Sequence, residues 1–266
     1  MSLELQKIVN YEKVLPLIMK PLAGIMPGLD VILRDDLALI YTADYPSPDA
    51  NQAFLLRASE GTVEALIDEV TEYYQTRDMS PAIYISPACT PSDLSKRLIK
   101  HGFVKQEPDE SWLMYEHLQT AKIVKWDPKI EVRQIGKSEV SQFAQVMAAA
   151  YEMPAEWIPM LITSVEPSIG QPDIYHFLAF VNQEPLATLS LMCQKDYAII
   201  GSAGIVPQHR GSSIMFNLTA NVLFGQARQK GVDTVILQTT LGPIFERFLR
   251  ICGFKLAFRR TGYLLA

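Results

Sequence analysis

The chain has 266 residues, 48% of them apolar, and a formal net charge of −5. That length holds one large domain or two ordinary ones, and the acidic balance lacks the basic face of a dedicated nucleic-acid binder. No run reaches the roughly 18 apolar residues of a membrane span, and the start Met1-Ser2-Leu3-Glu4-Leu5-Gln6 lacks the basic-then-apolar order of a signal peptide.

Three cysteines, Cys89, Cys193 and Cys252, are odd in number and away from metal-ligand spacing. They are read as buried thiols of a cytoplasmic protein. The four histidines give no metal pattern.

In the first half, Gly61 to Thr76 reads as a helix and Ala82-Ile83-Tyr84-Ile85 as a strand. Arg97-Leu98-Ile99-Lys100-His101-Gly102-Phe103 reads as a helix end, a glycine cap and an aromatic opening a strand. The charged, Pro-terminated stretch Lys122 to Pro128 reads as a linker or connecting strand. Ile130 to Ile135 is a predicted strand. Ser138 opens a helix running to about Tyr151, and Pro154 begins another. Ile174 to Val181 and Pro185 to Gln194 are strands joined by a hairpin-like turn at Asn182-Gln183-Glu184. Asp196 to Val206 is a strand, Ser213 to Lys230 a helix closed by Gly231, Asp233 to Thr240 a strand and Pro243 to Cys252 a helix. Phe254 to Leu265 reads as a strand pair or hairpin.

The pattern repeats at an offset of 151 residues. Arg97 to Phe103 falls on Phe248-Leu249-Arg250-Ile251-Cys252-Gly253-Phe254, Ala82 to Ile85 on Asp233 to Ile236, and Gly61 to Thr76 on Ser212 to Ala227, with no gap. The order of elements supports a duplication more than the few identities do. The expected domains are residues 1–120 and 129–266.

Between the strand ending at Val206 and the helix beginning at Ser213 lies Gln208-His209-Arg210-Gly211-Ser212-Ser213. A strand that turns through a glycine-bearing polar loop into a helix builds an anion site, because the first helical N–H groups lack partners and sit at the positive end of the dipole. Pyrophosphate suits it. At the same offset the first copy has Arg57-Ala58-Ser59-Glu60. A carboxylate in the glycine's place repels phosphate, so the second copy is expected to bind alone.

The element order, this loop and the ending Cys252-Gly253-Phe254 together resemble the GNAT acetyltransferase superfamily. The family's loop pattern is Gln or Arg, two residues, Gly, one residue, then Gly or Ala; Ser213 departs from it. The resemblance covers about residues 129–266, and the first copy is similar to a shortened, degenerate GNAT unit. It implies an α/β (α+β) fold of two GNAT-like units, each a mixed, mostly antiparallel sheet flanked by helices. It also implies acetyl-CoA, or another acyl-CoA, as cofactor and acyl donor, and a small-molecule or amino-acid-like primary amine as acceptor.

On that reading, the cofactor is bound by Gly204, Ile205, Val206, Gln208, His209, Arg210, Gly211, Ser212, Ser213 and Thr239. The strand edge from Ala203 to Val206 receives the pantetheine arm by β-augmentation, with a backbone N–H near Gly204 to Val206 as oxyanion donor. Small Gly201, Ala203 and Gly204 are assigned to close ligand approach, with tight packing against a helix as the competing reading. Ser202 is the candidate for positioning a water. Tyr151, Glu152, Trp157 and His176 are the candidate acceptor-site residues: the glutamate to attract a cationic amine, the aromatics to wall it. The competing reading is a helix cap with two core aromatics. The tyrosine that often stands four residues before the family's closing glycine is Leu249 here, so the usual general acid is missing. Glu246, one turn before Arg250, reads as a surface ion pair. The alternative to an enzyme is a non-catalytic acyl-CoA-binding module. A Rossmann dinucleotide binder is disfavoured because no Gly-x-Gly-x-x-Gly follows the first strand of a βαβ unit.

Overall fold

The computed structural model describes residues 2–43, 45, 47–123, 127–240 and 242–265. The elements begin with helix α1 (Leu3–Leu22) and strands β1 (Leu29–Leu33), β2 (Ala38–Thr42) and β3 (Gln52–Phe54). Helix α2 (Val63–Gln75), β4 (Ala82–Ile85), α3 (Leu94–Lys100), β5 (Phe103–Lys105) and β6 (Glu110–Tyr115) follow. Then come β7 (Glu131–Gln134), α4 (Val140–Ala150), α5 (Ile158–Val165), β8 (Ile174–Val181), β9 (Glu184–Gln194) and β10 (Tyr197–Ile205). The last are α6 (Ile214–Asn221), β11 (Thr234–Thr239), α7 (Gly242–Ile251) and β12 (Lys255–Leu265).

Contacts divide the chain into two compact units, Met1–Leu113 with Gln238–Ala266, and Met114–Leu237. The C-terminal α7 and β12 therefore pack with the N-terminal elements, so contact units and sequence halves are drawn along different lines. Part of the proposed linker, 124–126, lies outside the described residues.

In the first unit the strand order is β1-β2-β3-β4-β12-β6, and β5 also pairs with β12. The end of the chain is one continuous strand, not the expected hairpin. Thr261 to Leu264 run antiparallel to Ile85 to Ala82, and Tyr263 to Leu265 to Lys105 to Phe103. Helix α2 places Val63, Leu66, Ile67, Val70 and Tyr74 on one face, and that face is buried on this sheet. Both glycine caps form as expected. Gly102 has φ +86 and Gly253 φ +99, and the Phe254 N–H closes the turn on the Leu249 carbonyl at 3.0 Å. Phe103 and Phe254 are then buried.

Glu246 is not at the surface. It is 5% exposed, accepts from the Ser111 hydroxyl at 2.5 Å and Arg259 Nη2 at 2.7 Å, and has Arg250 at 3.7 Å. The Ser111 bond, aided by Arg259 and Arg250 against the cost of burial, holds its carboxyl below the usual range.

Sequence reasoning gave no hint of the polar cluster in this unit. Arg260 on β12 is fully buried. Its Nε donates to Glu110 Oε2 at 2.7 Å and its Nη2 to Gln52 Oε1 at 2.9 Å. The guanidinium lies over Tyr84 and Trp112, each 4.7 Å from the ring centre, and Phe54 at 5.2 Å. Glu12 of α1, also fully buried, stands 3.7 Å from Arg260 Nη1 and accepts from the Ser86 hydroxyl at 2.7 Å. Glu12 Oε1 and Arg260 Nη1 have no hydrogen-bond partner among the described residues. Burial pushes the Glu12 carboxyl up to about 7, against the pull of Arg260.

In the second unit the order is β11-β10-β9-β8-β7. Asn182 (φ +51) and Gln183 (φ +68) form the two-residue turn between Val181 and Glu184, the left-handed pair that suits a hairpin's twist. Strand and helix faces meet in a core of Ile135, Val140, Phe143, Val165, Leu178 and Phe180. The helix expected from Ser213 to Lys230 starts as α6 but widens into π-helical turns over Val222–Ala227.

Candidate functional site

Strand β10 is the element that builds the site. Its first residues pair parallel to β11, from Tyr197 opposite Thr234 to Ile200 opposite Leu237, and the pairing ends there. On the other side its ladder with β9 breaks between Gly201 and Gly204. Ser202 sits in the break with φ +46, and Thr188 Oγ1 donates to its carbonyl at 2.7 Å. Such a bulge bends a strand and re-aims its edge. Gly201 to Ile205 are all half-buried, whereas Ala198 to Ile200 are buried. The Val206 N–H returns to the Leu186 carbonyl at 3.0 Å, so it is not a free oxyanion donor. By strand alternation the Ile205 N–H faces away from β9.

The loop then turns through Pro207–His209. Gly211 has φ +84, and a Cβ added there meets nothing within 4 Å. The glycine is required by backbone conformation rather than space. Gln208, Arg210, Gly211, Ser212 and Ser213 are exposed and His209 half-buried. Ser213 caps α6 without a side-chain bond; the Ile214 N–H has the Ser212 Oγ at 3.4 Å, and the Ser212 N–H donates to the His209 carbonyl at 3.1 Å. A hollow of about 330 Å³ adjoins the loop, lined by Leu186, Val206, Gln208 and His209 among others. It lies by the start of β9, not along the Gly201 to Ile205 edge.

The end of α4 packs on this strand. A Cβ on Gly204 would lie 2.8 Å from the Ala150 Cβ and 3.1 Å from the Tyr151 ring. Gly204 is small because the helix lies on it, which corrects the ligand-approach reading. The Tyr151 hydroxyl donates to the Ala203 carbonyl at 3.1 Å, so that carbonyl is already engaged. Tyr151 and Trp157 are 46% and 37% exposed; neither is a core aromatic. The exposed Glu152 carboxylate pairs with Arg210 Nη2 at 3.2 Å.

His176 does not reach the site. It is 7% exposed, with its Nε2 2.8 Å from the Ser168 hydroxyl and its Nδ1 2.7 Å from that of Ser190. Burial lowers its pKa to about 4, so it is a neutral, satisfied core histidine. Thr239 is buried and falls, by contacts, in the first unit. Leu249 is buried there too, so the usual tyrosine position carries no proton donor. Among the described residues no cluster of three or more His, Cys, Asp or Glu could hold a metal.

The first unit has a comparable parallel pair, β3 with β4, where Ala53 faces Ile83. There the gap is closed. The Thr90 N–H donates to the Leu56 carbonyl at 2.9 Å, and the Ala58 N–H to the Thr90 carbonyl at 3.2 Å. The helices and following strands keep the offset of 151 residues, but Ala53 and Tyr197 occupy matching registers at an offset of 144. The first copy is thus seven residues shorter over strand and loop, a gap the ungapped alignment missed.

No protein-family model matches the chain, and no curated protein matches it. Solved structures do match over nearly its whole length. A GCN5-related N-acetyltransferase from Kribbella flavida superposes with a TM-score of 0.67 at 14% identity, covering 93% of each chain. A tandem GNAT protein from the clavulanic acid biosynthesis pathway gives 0.62 at 14% identity, over 90% of this chain and 83% of that one. A functionally unknown conserved protein from Staphylococcus epidermidis gives 0.65 at 13% identity, over 92% and 96%. At such identities the likeness is one of fold, and the chain has the fold of GNAT acetyltransferases. The third structure illustrates that this fold does not name a reaction.

Proposed function

We propose that the protein is an acyl-CoA-dependent N-acyltransferase, most simply using acetyl-CoA, whose acceptor is a primary amine of a small or amino-acid-like molecule. The observation that carries this reading is the departure of β10 from β11 after Ile200, directly into the exposed glycine loop that caps α6. A strand edge that leads into an anion site fits a ligand with an extended amide arm and a pyrophosphate. The Ile205 N–H is the edge donor for the arm or for the oxyanion of acyl transfer. The Gly211 and Ser213 N–H groups are the ones we assign to the pyrophosphate, because the Ser212 N–H is held by the His209 carbonyl.

Attack by a neutral amine also requires a proton for the departing thiolate. The Tyr151 hydroxyl, held at the bulged strand by Ala203, is the group we assign to that proton. The first unit is a supporting partner without a cofactor, consistent with its closed strand pair. The cysteine usage supports a cytoplasmic setting.

Thermal unfolding with CoA, acetyl-CoA and NAD tests the site, in the wild type and in Gly211→Glu. A ligand at 100 times its Kd adds about 2.7 kcal/mol. Stabilisation by the CoA species alone, lost in Gly211→Glu, is the expected result; no stabilisation by any CoA species would sink the reading.

A further inference from the structure

Helix α4 ends in a Schellman turn, with the Met153 N–H on the Ala148 carbonyl at 2.8 Å and the Glu152 N–H on that of Ala149 at 3.3 Å. The residue just past the cap of such a turn takes left-handed backbone and is usually glycine. Here it is Glu152, with φ +54. A side chain in that conformation is strained. Strain of this kind is an observation from which a function is sought, and the Glu152 carboxylate supplies one. It accepts from Arg210 Nη2 at 3.2 Å, while the same nitrogen donates to the Ala150 carbonyl at 2.9 Å. Ala150 is the last residue of α4, where the dipole is negative. The loop's arginine is therefore folded back onto the end of α4. The two side chains are 50% and 66% exposed, and an exposed pair of this kind is weak and easily exchanged.

We propose that Glu152 is a displaceable counter-ion of the anion loop: it holds Arg210 before the ligand arrives and yields it to the ligand's phosphates. Glu152 accepts a single bond from Arg210, whereas a pyrophosphate carries more negative charge and can take the guanidinium bidentately, so the exchange runs toward the ligand. Until then Glu152 competes with it and lowers its affinity. The inference rests on the reading of the Gly211 loop as the CoA site.

The test is CoA binding by calorimetry to the wild type, Glu152→Gln, Arg210→Gln and the double variant. Glu152→Gln should bind CoA about two- to fivefold more tightly than the wild type. The gain should vanish when Arg210→Gln is already present, because no arginine remains to be released. Equal affinity of wild type and Glu152→Gln, with Gly211→Glu abolishing binding, would overturn the counter-ion alone. Absence of CoA binding to the wild type would overturn the site reading and the counter-ion with it.

Discussion

Glu12→Gln should make the protein more stable at alkaline pH, although it alters a fully buried carboxyl. Glu12 and Glu110 share one guanidinium, and Arg260 gives its short bonds to Glu110. Glu12 stands 3.7 Å off and has the Ser86 hydroxyl. Its folded pKa is about 7 against a usual 4.5. A carboxyl raised on folding contributes fully below the unfolded value, and its contribution is lost as pH rises through the folded one. The window is therefore about pH 4.5 to 7. A shift of that size corresponds to about 3 kcal/mol over the full window, most of it between pH 5 and 9. Glutamine keeps the shape of the neutral acid and does not ionise. Urea unfolding of both proteins from pH 5 to 9, followed by tryptophan fluorescence with Trp112 inside the cluster, reads the difference. Other titrating groups are common to both and cancel. The difference should grow by about 2–3 kcal/mol in favour of Glu12→Gln from pH 5 to 9. Parallel curves across that range would refute the reasoning and mean that Arg260 keeps Glu12 ionised.

Other perturbations probe different parts. Arg260→Leu leaves Glu110 buried without its cation and should destabilise by about 3–5 kcal/mol in urea. His176, held neutral by burial with a pKa of about 4, favours folding above pH 6.5, and that contribution is lost as pH falls toward 4. Its ring signals by NMR should accordingly remain those of neutral imidazole at pH 5. Tyr151→Phe should lower kcat about a hundredfold, the low end of general-acid effects, with CoA affinity nearly unchanged; an unaltered kcat would remove Tyr151 from the proton path. Gly211→Ala should cost about 1 kcal/mol in unfolding through its φ of +84, without the charge that Gly211→Glu adds.

The parts legible in sequence were those set by local chemistry. Asn182-Gln183 between two strand-like runs marked the β8–β9 hairpin, and Gly102 and Gly253 before phenylalanines marked two helix ends. The loop at Gly211 stood out because a strand, a glycine and a helix follow one another directly. What escaped depends on distant partners. Nothing near Arg260 in the sequence signals its burial, which comes with a bond to Glu110, 150 residues away. The first helix has no clear signature in the sequence, because Pro16 and Pro21 interrupt its pattern. Gly204 was misassigned because the helix end that demands its small size comes from Ala150 and Tyr151. His176 was placed by its position early in a strand, but Ser168 and Ser190, which satisfy it, are visible only once the strands pair.

Acyl transfer itself is tested most directly by amine-dependent release of free thiol from acetyl-CoA, across a panel of small amines and amino acids, with Gly211→Glu alongside. Release by the wild type with at least one amine, absent without amine and lost in Gly211→Glu, is the expected result. Stabilisation by CoA with no release for any amine would contradict catalysis and leave an acyl-CoA-binding module in its place.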